Sequence, residues 1–437
     1  MVEEQILENI AQNAKLASYK LAALSEDVKN KALLAIADNI AANKDFILNE
    51  NKKDLEEAEK MVKDGSLSKP LYDRLKLNDE KISVMVQGIK DVAKLEDPVN
   101  KTLWAMELDN GLDLYRVSCP LGVIGIIFES RPEVVPQIAA LAIKSSNAVI
   151  LKGGREAVNS NQALIEVINQ TLTKTGFPEN AINLIKTRED VAQMLKMDDY
   201  IDLIIPRGSN ELVKHIQNNT RIPVLGHSEG ICHIYIDEAA DFQKAVKISI
   251  DSKIQYPAAC NAVETILVNT KIAEKFLPEL IKEFQNVGVL VKGDEKTLQI
   301  YNGGVAEATE IDWKTEYSDK IISIKVVDDI NKAIEHINMY GSGHTDCIIT
   351  ENKDSANLFM NLVDSAGVYH NASTRFADGF RYGLGAEVGI STNKTHARGP
   401  VGLEGLVIYK YKLYGNGQIV SEYSGENKKK FVHKRLK

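Results

Sequence analysis

The sequence is poor in cysteine, and its four cysteines, Cys119, Cys232, Cys260 and Cys347, are far apart with no Cys-x-x-Cys pair. This spacing argues against a disulfide framework and against a zinc site built from cysteines, and it favours a reducing compartment. No apolar run approaches the roughly 20 residues that a membrane-spanning helix needs. Residues 1–5 are acidic and polar, which does not fit a secretory signal. We therefore expect a cytoplasmic protein.

Excess positive charge and the common nucleotide-binding fingerprints are also missing. The net charge is −8, which argues against nucleic acid or an anionic membrane as a partner. There is no Gly-x-Gly-x-x-Gly and no Gly-x-x-x-x-Gly-Lys-Ser/Thr, so neither a standard Rossmann fingerprint nor a P-loop is present. The composition is otherwise that of a globular protein, and a length of 437 residues fits two or three domains.

One stretch of the chain has the features of a catalytic site. Tyr256-Pro-Ala-Ala-Cys260-Asn261 leads into residues 263–268, an apolar, β-branched run that predicts a buried strand. A cysteine just before such a strand lies on a loop held by a rigid element, where catalytic groups are often found. A free cysteine is also commonly a small buried hydrophobic residue, so the local context leaves both interpretations open.

The first half of the chain predicts helices, a hairpin and then a parallel sheet. Leu and Ala recur at helical spacing from residue 3 to about 63, and Asp109-Asn110-Gly111 is a turn signal within a hairpin at 103–117. Buried strands are predicted at 122–128, 148–152, 182–185 and 203–205, with helices between them, which indicates right-handed parallel crossovers. Sheets of this kind bind ligands beyond the carboxyl ends of their strands. Ser209 follows such a strand and predicts either a phosphate donor or a plain helix cap.

The second half predicts another α/β domain, which carries Cys260. Strands are expected at 231–236, 263–268, 321–326 and 347–350. Residues 371–402 are polar and rich in glycine, which is typical of functional loops. Residues 406–413 predict a last strand able to pair with the hairpin, and the basic tail at 428–437 predicts a solvated end.

Seven motifs in order resemble one known family. They are PLGVIGIIFESRP at 120–132, AVILKGG at 148–154, CNAVET at 260–265, YGSGH at 340–344, NASTRF at 371–376, GLGAEV at 383–388 and HARGP at 396–400. The sequence resembles the gamma-glutamyl phosphate reductase (glutamate-5-semialdehyde dehydrogenase, phosphorylating) family, a branch of the aldehyde dehydrogenase superfamily, over nearly its whole length.

The resemblance implies an aldehyde dehydrogenase-like α/β fold. Two parallel-sheet domains are expected, a Rossmann-like cofactor domain and a catalytic domain, with a small β oligomerisation flap. Residues 1–101 and 120–228, with part of 375–402, are expected to form the NADP-binding domain. Residues 229–374 are expected to form the catalytic domain, and 102–119 with 403–437 the flap and tail. The resemblance also implies a homodimer or higher homo-oligomer. It leaves open whether a glutamate 5-kinase channels the substrate to this protein.

The implied reaction is the NADPH-dependent reduction of L-glutamyl 5-phosphate to L-glutamate 5-semialdehyde and phosphate, in L-proline biosynthesis. Cys260 matches the family nucleophile, which forms a thioester by displacing phosphate. The oxyanion donor that the wider superfamily uses is replaced here by Ser130, so Ser130 or Asn261 is the expected substitute. Two alternatives remain: a superfamily enzyme that oxidises a small semialdehyde, with a base near His227 and Glu229, and a non-catalytic oligomeric relative.

The resemblance also implies the residues that bind ligands. The cofactor is NADPH or NADP⁺, and its expected contacts are Lys152, Arg155, Gly208, Ser209 and Glu316. Arg155 stands where relatives carry a carboxylate, and a cation there favours the 2′-phosphate of NADPH. The substrate carries a carboxylate and a phosphate, for which the candidates are Arg131, Asn371, Thr374, Arg375 and Arg398. No metal is expected.

Overall fold

The structure, a computed structural model, describes residues 2–186, 188–227 and 229–437, with the side chains of residues 2–4, 188 and 189 left aside. The chain divides into two compact units. Unit 1 contains the chain up to Leu225, then Leu384–Gly389 and Val401–Lys437. Unit 2 contains Gly226–Gly383 and Ile390–Pro400. The hairpin and the C-terminal segment thus belong to unit 1, and the chain leaves that unit three residues before the expected boundary at 228. The three-part domain division stays a prediction.

Unit 1 begins with helices, as the periodicity predicts. They are α1 (Val2–Leu21), α2 (Glu26–Ala42), α3 (Lys44–Lys63), α4 (Lys69–Leu75) and α5 (Asp79–Lys94). Asn78 caps α5, because its side chain accepts a hydrogen bond from the Lys81 amide at 2.8 Å. Sequence reasoning missed α4, whose seven residues are too few for a periodic pattern. The predicted hairpin follows as β1 (Thr102–Asp109) and β2 (Leu112–Pro120).

A four-stranded parallel sheet forms the rest of the first half. Its elements are β3 (Val123–Phe128), α6 (Val134–Lys144), β4 (Ala148–Lys152), α7 (Val158–Lys174), β5 (Ile182–Ile185), α8 (Arg188–Met194), β6 (Leu203–Arg207) and α9 (Asn210–Asn219). The strand order is β5-β4-β3-β6, and every pair is parallel. All residues of β3 are buried, which explains why the strand appears in the sequence as a continuous apolar run.

Unit 2 contains a larger parallel sheet. Its elements are β7 (Cys232–Ile236), α10 (Phe242–Ile254), β8 (Val263–Asn269), α11 (Thr270–Asn286), β9 (Leu290–Gly293), α12 (Glu295–Ile300), β10 (Val305–Glu307), β11 (Ile321–Val327), α13 (Ile330–Tyr340), β12 (Thr345–Ile349), α14 (Lys353–Leu362) and β13 (Gly367–His370). Within the described residues the order is β10-β9-β11-β8-β7-β12-β13. The strands that sequence reasoning missed, β9, β10 and β13, are short and lie toward the edges. Both parallel sheets confirm the predicted α/β class.

The C-terminal part completes a small antiparallel sheet. The remaining strands are β14 (Gly389–Ser391), β15 (Gly399–Val401), β16 (Val407–Tyr414) and β17 (Lys434–Arg435), of which β14 and β15 pair with each other. The order β16-β2-β1-β17 confirms the predicted pairing of the last long strand with the hairpin. The basic tail is exposed, but a wholly solvated end is wrong, since β17 pairs with the edge of β1. Among the described helices, none is both long and apolar enough to cross a membrane.

Candidate active site

Cys260 lies on a tight turn that leads into the central strand β8. The Ala259 amide donates to the Tyr256 carbonyl at 3.2 Å, and the Ala262 amide donates to the Ala259 carbonyl at 2.8 Å. These turns wind the chain between the end of α10 and the start of β8, every residue of which is buried. The Cys260 thiol is free and half-buried, so it is not sealed in the core.

Three neighbouring strands bring distant side chains to this thiol. The strands β8, β7 and β12 are adjacent and parallel, so their amino ends lie at one edge of the sheet. Cys260 precedes β8, His227 precedes β7 and His344 directly precedes β12. One nitrogen of His227, one nitrogen of His344 and the Cys260 sulfur lie within 4.8 Å of one another. The candidate nucleophile therefore lies at the amino edge of this sheet, as its position just before a predicted strand indicates.

The loop before β7 is fixed against the backbone of Cys260. A Cβ atom on Gly230 would overlap the carbonyl group of Cys260, so only glycine allows this approach. The Gly230 amide donates to Glu316 Oε2 at 3.0 Å. His227 Nδ1 lies 2.9 Å from the Ile390 carbonyl oxygen, and since a carbonyl only accepts, Nδ1 carries the proton. The loop that the sequence indicated as the location of a base thus lies beside Cys260.

His344 is fully buried and incompletely hydrogen-bonded. Its Nδ1 lies 2.9 Å from Thr345 Oγ1, and its ring packs edge-to-face on His227 with the centroids 4.8 Å apart. Its Nε2 is buried and has no hydrogen-bond partner. A buried polar atom without a partner costs about 1–3 kcal/mol. Such atoms deserve a functional explanation. Sequence reasoning gave His344 no role, although it closes the YGSGH motif.

Arg375 is the cation that interacts with Cys260. Its Nε donates to Gln255 Oε1 at 2.9 Å, and its guanidinium lies 6.0 Å from the centre of the Tyr256 ring. Burial lowers the pKa of Arg375 and Arg381 lowers it further, whereas negative charge on Cys260 raises it.

The other predicted site residues of unit 2 hydrogen-bond to different parts of that unit. Asn261 Nδ2 donates to the Ala377 carbonyl at 2.7 Å, while Asn261 Oδ1 and Thr374 Oγ1 are buried without a partner. Arg398 Nη2 donates to the carbonyl and to Oδ1 of Asp364, both at 3.1 Å. Asn371 bonds to the backbone of Thr350 through both ends of its amide group. The substrate roles of Thr374, Arg398 and Asn371 stay predictions.

A buried ion pair supports the start of β8. Lys253 Nζ and Glu264 Oε2 are 2.6 Å apart, and both side chains are fully buried. Burial raises the pKa of Glu264 to about 7, against the lowering effect of Lys253. The pair joins α10 to β8 on either side of Cys260, and the sequence offered no signal for it beyond the glutamate of CNAVET.

In unit 1 the predicted cofactor residues lie at the carboxyl ends of β4 and β6, which flank β3. Ser209 caps α9, accepting from the Leu212 amide at 3.4 Å, and its own amide donates to Glu129 Oε2 at 2.9 Å. A Cβ atom on Gly208 would overlap that carboxylate. A carboxylate thus occupies the anion position at a helix N-terminus.

A second carboxylate, that of Glu156, lies just beyond the carboxyl end of β3. Ser130, 1% exposed and in the left-handed region with φ 42°, donates from its amide at 2.7 Å and its hydroxyl at 2.6 Å to Glu156 Oε1. Lys152 ends β4 half-buried, and Arg155 is exposed just beyond it. Arg131 is half-buried. The hydroxyl proton of Ser130 is donated to Glu156, so the role of Ser130 as an oxyanion donor stays a prediction.

Comparisons with known proteins identify the family. The aldehyde dehydrogenase family model matches residues 3–323. Gamma-glutamyl phosphate reductase of Methanococcoides burtonii is 56% identical over 440 residues, covering 100% of this chain and 97% of that protein. The enzyme of the same name from Brachyspira hyodysenteriae is 57% identical, covering 98% and 99%. The chain belongs to the gamma-glutamyl phosphate reductase branch of the aldehyde dehydrogenase family.

A solved structure confirms the aldehyde dehydrogenase-like fold. The crystal structure of gamma-glutamyl phosphate reductase from Thermotoga maritima matches with a TM-score of 0.91 and 42% identity, over 94% of this chain and 99% of that one. The resemblance of the seven motifs is therefore confirmed. As a member of this family the protein is an oxidoreductase that uses a nicotinamide cofactor.

Proposed function

We propose that the protein reduces L-glutamyl 5-phosphate to L-glutamate 5-semialdehyde with NADPH and releases phosphate, a step of L-proline biosynthesis. The full-length identity to enzymes of that name supports the proposal. The observation that carries it is a free, half-buried thiol, Cys260, on the loop that leads into the central strand β8. An acyl phosphate must become an aldehyde without hydrolysis, and a cysteine thioester separates this into two steps.

In the proposed mechanism Cys260 carries the acyl group. The thiolate attacks the 5-carbonyl carbon, a carbon–sulfur bond forms, and the carbon–oxygen bond to phosphate breaks. NADPH, when bound, supplies the hydride that reduces the thioester. The carbon–sulfur bond then breaks, and the aldehyde leaves as the thiolate is restored.

The transient oxyanion needs a hydrogen-bond donor. The Cys260 amide, Asn261 and Ser130 are the proposed donors. Asn261 donates one amide hydrogen to Ala377, so its second hydrogen remains for an oxyanion. Ser130 can act only after its hydroxyl turns away from Glu156.

The cofactor residues fit a dinucleotide phosphate. The amide of Ser209 at the start of α9 and the glycine Gly208 form a cradle that already accepts a carboxylate. Arg155 and Lys152, at the exit of β4, are the proposed contacts of the 2′-phosphate and adenosine ribose. Glu316 is the proposed contact of the nicotinamide ribose.

The substrate's own charges require cations. Arg131, Arg375 and Arg398 are the proposed partners of its carboxylate and phosphate, with Asn371 and Thr374 as polar contacts. We further propose a cytoplasmic homodimer or higher oligomer formed through the sheet of β16, β2, β1 and β17. Channelling from a glutamate 5-kinase is part of the same proposal.

The deciding experiment follows NADP⁺ reduction by the purified protein with glutamate semialdehyde, with and without inorganic phosphate. Turnover that requires phosphate supports the proposal, because phosphate must cleave the thioester in the reverse reaction. Equal turnover without phosphate would indicate a hydrolytic aldehyde dehydrogenase, with His227 or Glu229 as its base. No turnover under either condition would indicate a non-catalytic relative. The forward reaction, run with NADH in place of NADPH, tests which nicotinamide cofactor the protein prefers.

A further inference from the structure

His227, Cys260 and His344 form a cluster with the donor atoms of a zinc ligand set, which we call the Cys–His cluster. We propose that the Cys–His cluster binds Zn²⁺, or another thiophilic divalent cation, and that the bound ion blocks the Cys260 nucleophile. The proposed reduction uses no metal at any step, so this is a separate binding activity that competes with it.

The geometry of the Cys–His cluster is close to that of a bound ion. The three donor atoms lie within 4.8 Å of one another. Tetrahedral zinc with nitrogen at about 2.0–2.1 Å and sulfur at about 2.3 Å holds its ligand atoms roughly 3.3–3.6 Å apart. Small side-chain rotations close that difference. One thiolate and two imidazoles leave a fourth coordination position for water or phosphate.

The buried nitrogen of His344 is a second, independent indication of a ligand. Nε2 of this fully buried ring has no hydrogen-bond partner, whereas Nδ1 lies beside Thr345 Oγ1. A second contact through Nδ1 orients the ring, as hydrogen bonds do for metal-binding histidines. Nε2 is the proposed ligand atom of His344, and a bound cation would give it a partner.

The edge of the sheet also favours a cation. The helices α10 and α13 run back to the amino edge and end just before Cys260 and His344 respectively. Helix carboxyl ends carry partial negative charge and stabilise cations nearby. The Cys232 thiol donates to the Cys260 carbonyl at 3.4 Å. The Cys232 sulfur also lies 3.8 Å from His344 Nδ1.

Binding of the ion inactivates the thiol without oxidising it. As the sulfur–zinc bond forms, the Cys260 proton passes to solvent and no electrons are transferred. A sulfur atom bound to zinc is not available to attack an acyl phosphate. A chelator that removes the ion restores the free thiol.

The test uses the full-length, metal-free protein and needs neither substrate nor cofactor. Zn²⁺ is titrated while iodoacetamide alkylation of Cys260 is followed by mass spectrometry of its peptide. We expect alkylation to slow by at least about tenfold, since only the free thiolate reacts. Co²⁺ in place of Zn²⁺ should produce a sulfur-to-cobalt charge-transfer band and the intense visible bands of a tetrahedral site.

Variants decide whether the histidines take part. His344→Gln and His227→Asn each remove a proposed ligand. Each should weaken zinc protection at least about tenfold, which is the loss that even a change next to a ligand causes. Cys119→Ser and His215→Ala, which remove a thiol and an exposed histidine elsewhere, should retain wild-type affinity. His227→Asn changes a half-buried loop side chain and remains informative if the His344 variant does not fold.

Two results would overturn the proposal. One is alkylation of Cys260 at the same rate with and without Zn²⁺. The other is protection that persists unchanged in both histidine variants, because the thiolate alone would then hold the ion. Since the readout is alkylation and cobalt absorption, either failure leaves the proposed reductase activity to be judged by its own assay.

Discussion

The two parallel sheets use opposite edges for their candidate sites. In unit 1 the predicted cofactor residues follow the carboxyl ends of β4 and β6, where helix N-termini such as that of α9 favour anions. In unit 2 the residues around Cys260 precede the amino ends of β8, β7 and β12, where helices end instead. The cation that interacts with Cys260 at this second edge is a side chain, Arg375.

The polar groups of the two sites also differ in how they are paired. At the carboxyl ends of the unit 1 strands, the Ser130 hydroxyl already donates to Glu156 and the Ser209 amide already donates to Glu129. Around Cys260 several buried polar atoms lack a partner, among them His344 Nε2 and Thr374 Oγ1. The first site has carboxylates in the positions of an anion, while the second retains unpaired atoms that a ligand or ion can engage.

The largest effect is expected from Cys260→Ser, which tests whether the amino edge of unit 2 is the reactive one. A serine hydroxyl at this position is a far weaker nucleophile, so kcat should fall by about 10⁴-fold or more. The measurement is phosphate-dependent NADP⁺ reduction, with Cys119→Ser as the matched control that keeps activity. Residual activity within about tenfold of wild type would exclude Cys260 as nucleophile.

Gly230→Ala tests how closely the loop before β7 is fitted to Cys260. The added Cβ overlaps the Cys260 carbonyl and must displace the nucleophile. A misplacement of about 1 Å can lower kcat about 100-fold. In the control Gly88→Ala, on α5, the Cβ meets nothing within 4 Å, so activity should be retained and stability should rise by about 1 kcal/mol. Full activity of Gly230→Ala would show that the loop is not closely fitted to Cys260.

Arg155→Glu tests whether the predicted cofactor site of unit 1 selects NADPH. A carboxylate repels the 2′-phosphate of NADPH, so the ratio of kcat/KM for NADPH over NADH should fall by roughly 10- to 100-fold. Arg221→Glu, an exposed change in the same unit, should leave the ratio as it was. An unchanged ratio in the Arg155 variant would mean that another residue selects the cofactor.

Arg375→Gln tests the cation at the amino edge. Arg375 is a proposed contact of the substrate's carboxylate or phosphate, so kcat/KM in the phosphate-dependent assay should fall roughly 10- to 100-fold. Arg435→Gln, in the exposed tail, is the control. If both variants keep the wild-type kcat/KM, Arg375 is not a contact of the substrate.

His336 gives the smallest expected effect and concerns stability alone. Burial lowers the pKa of His336 to about 2, with His233 and Lys325 lowering it further. The unfolded chain therefore binds a proton below about pH 6.5 that the folded protein does not, and stability falls as the pH falls through this range. The slope is at most about 1.4 kcal/mol per pH unit. Denaturant unfolding of His336→Gln should show a correspondingly flatter dependence between pH 6.5 and 5, and an identical slope would contradict the assignment.

Local patterns predicted much of the fold. The bounds of β4 and β5 agree with the structure to the residue, and Asn78 caps α5 as its sequence position indicates. The missed elements include α4, β9, β10, β13, β14, β15 and β17, all of seven residues or fewer, which is too few to show a period. The sequence around Cys260 left its role open, and the family motifs made it the candidate nucleophile. The same motifs made Arg375 a candidate, while His344 was given no role.

The sequence by itself determined the two α/β units, the hairpin with its late strand partner, the family and the position of the candidate nucleophile before a buried strand. These depend on hydrophobic periodicity, turn residues and ordered motifs, all of which are local along the chain. Only the tertiary structure decided that two histidines, His227 and His344, lie close to Cys260. The reason is that parallel pairing of β8, β7 and β12 brings together strand entrances that are far apart in the sequence, so no spacing rule could reveal the Cys–His cluster.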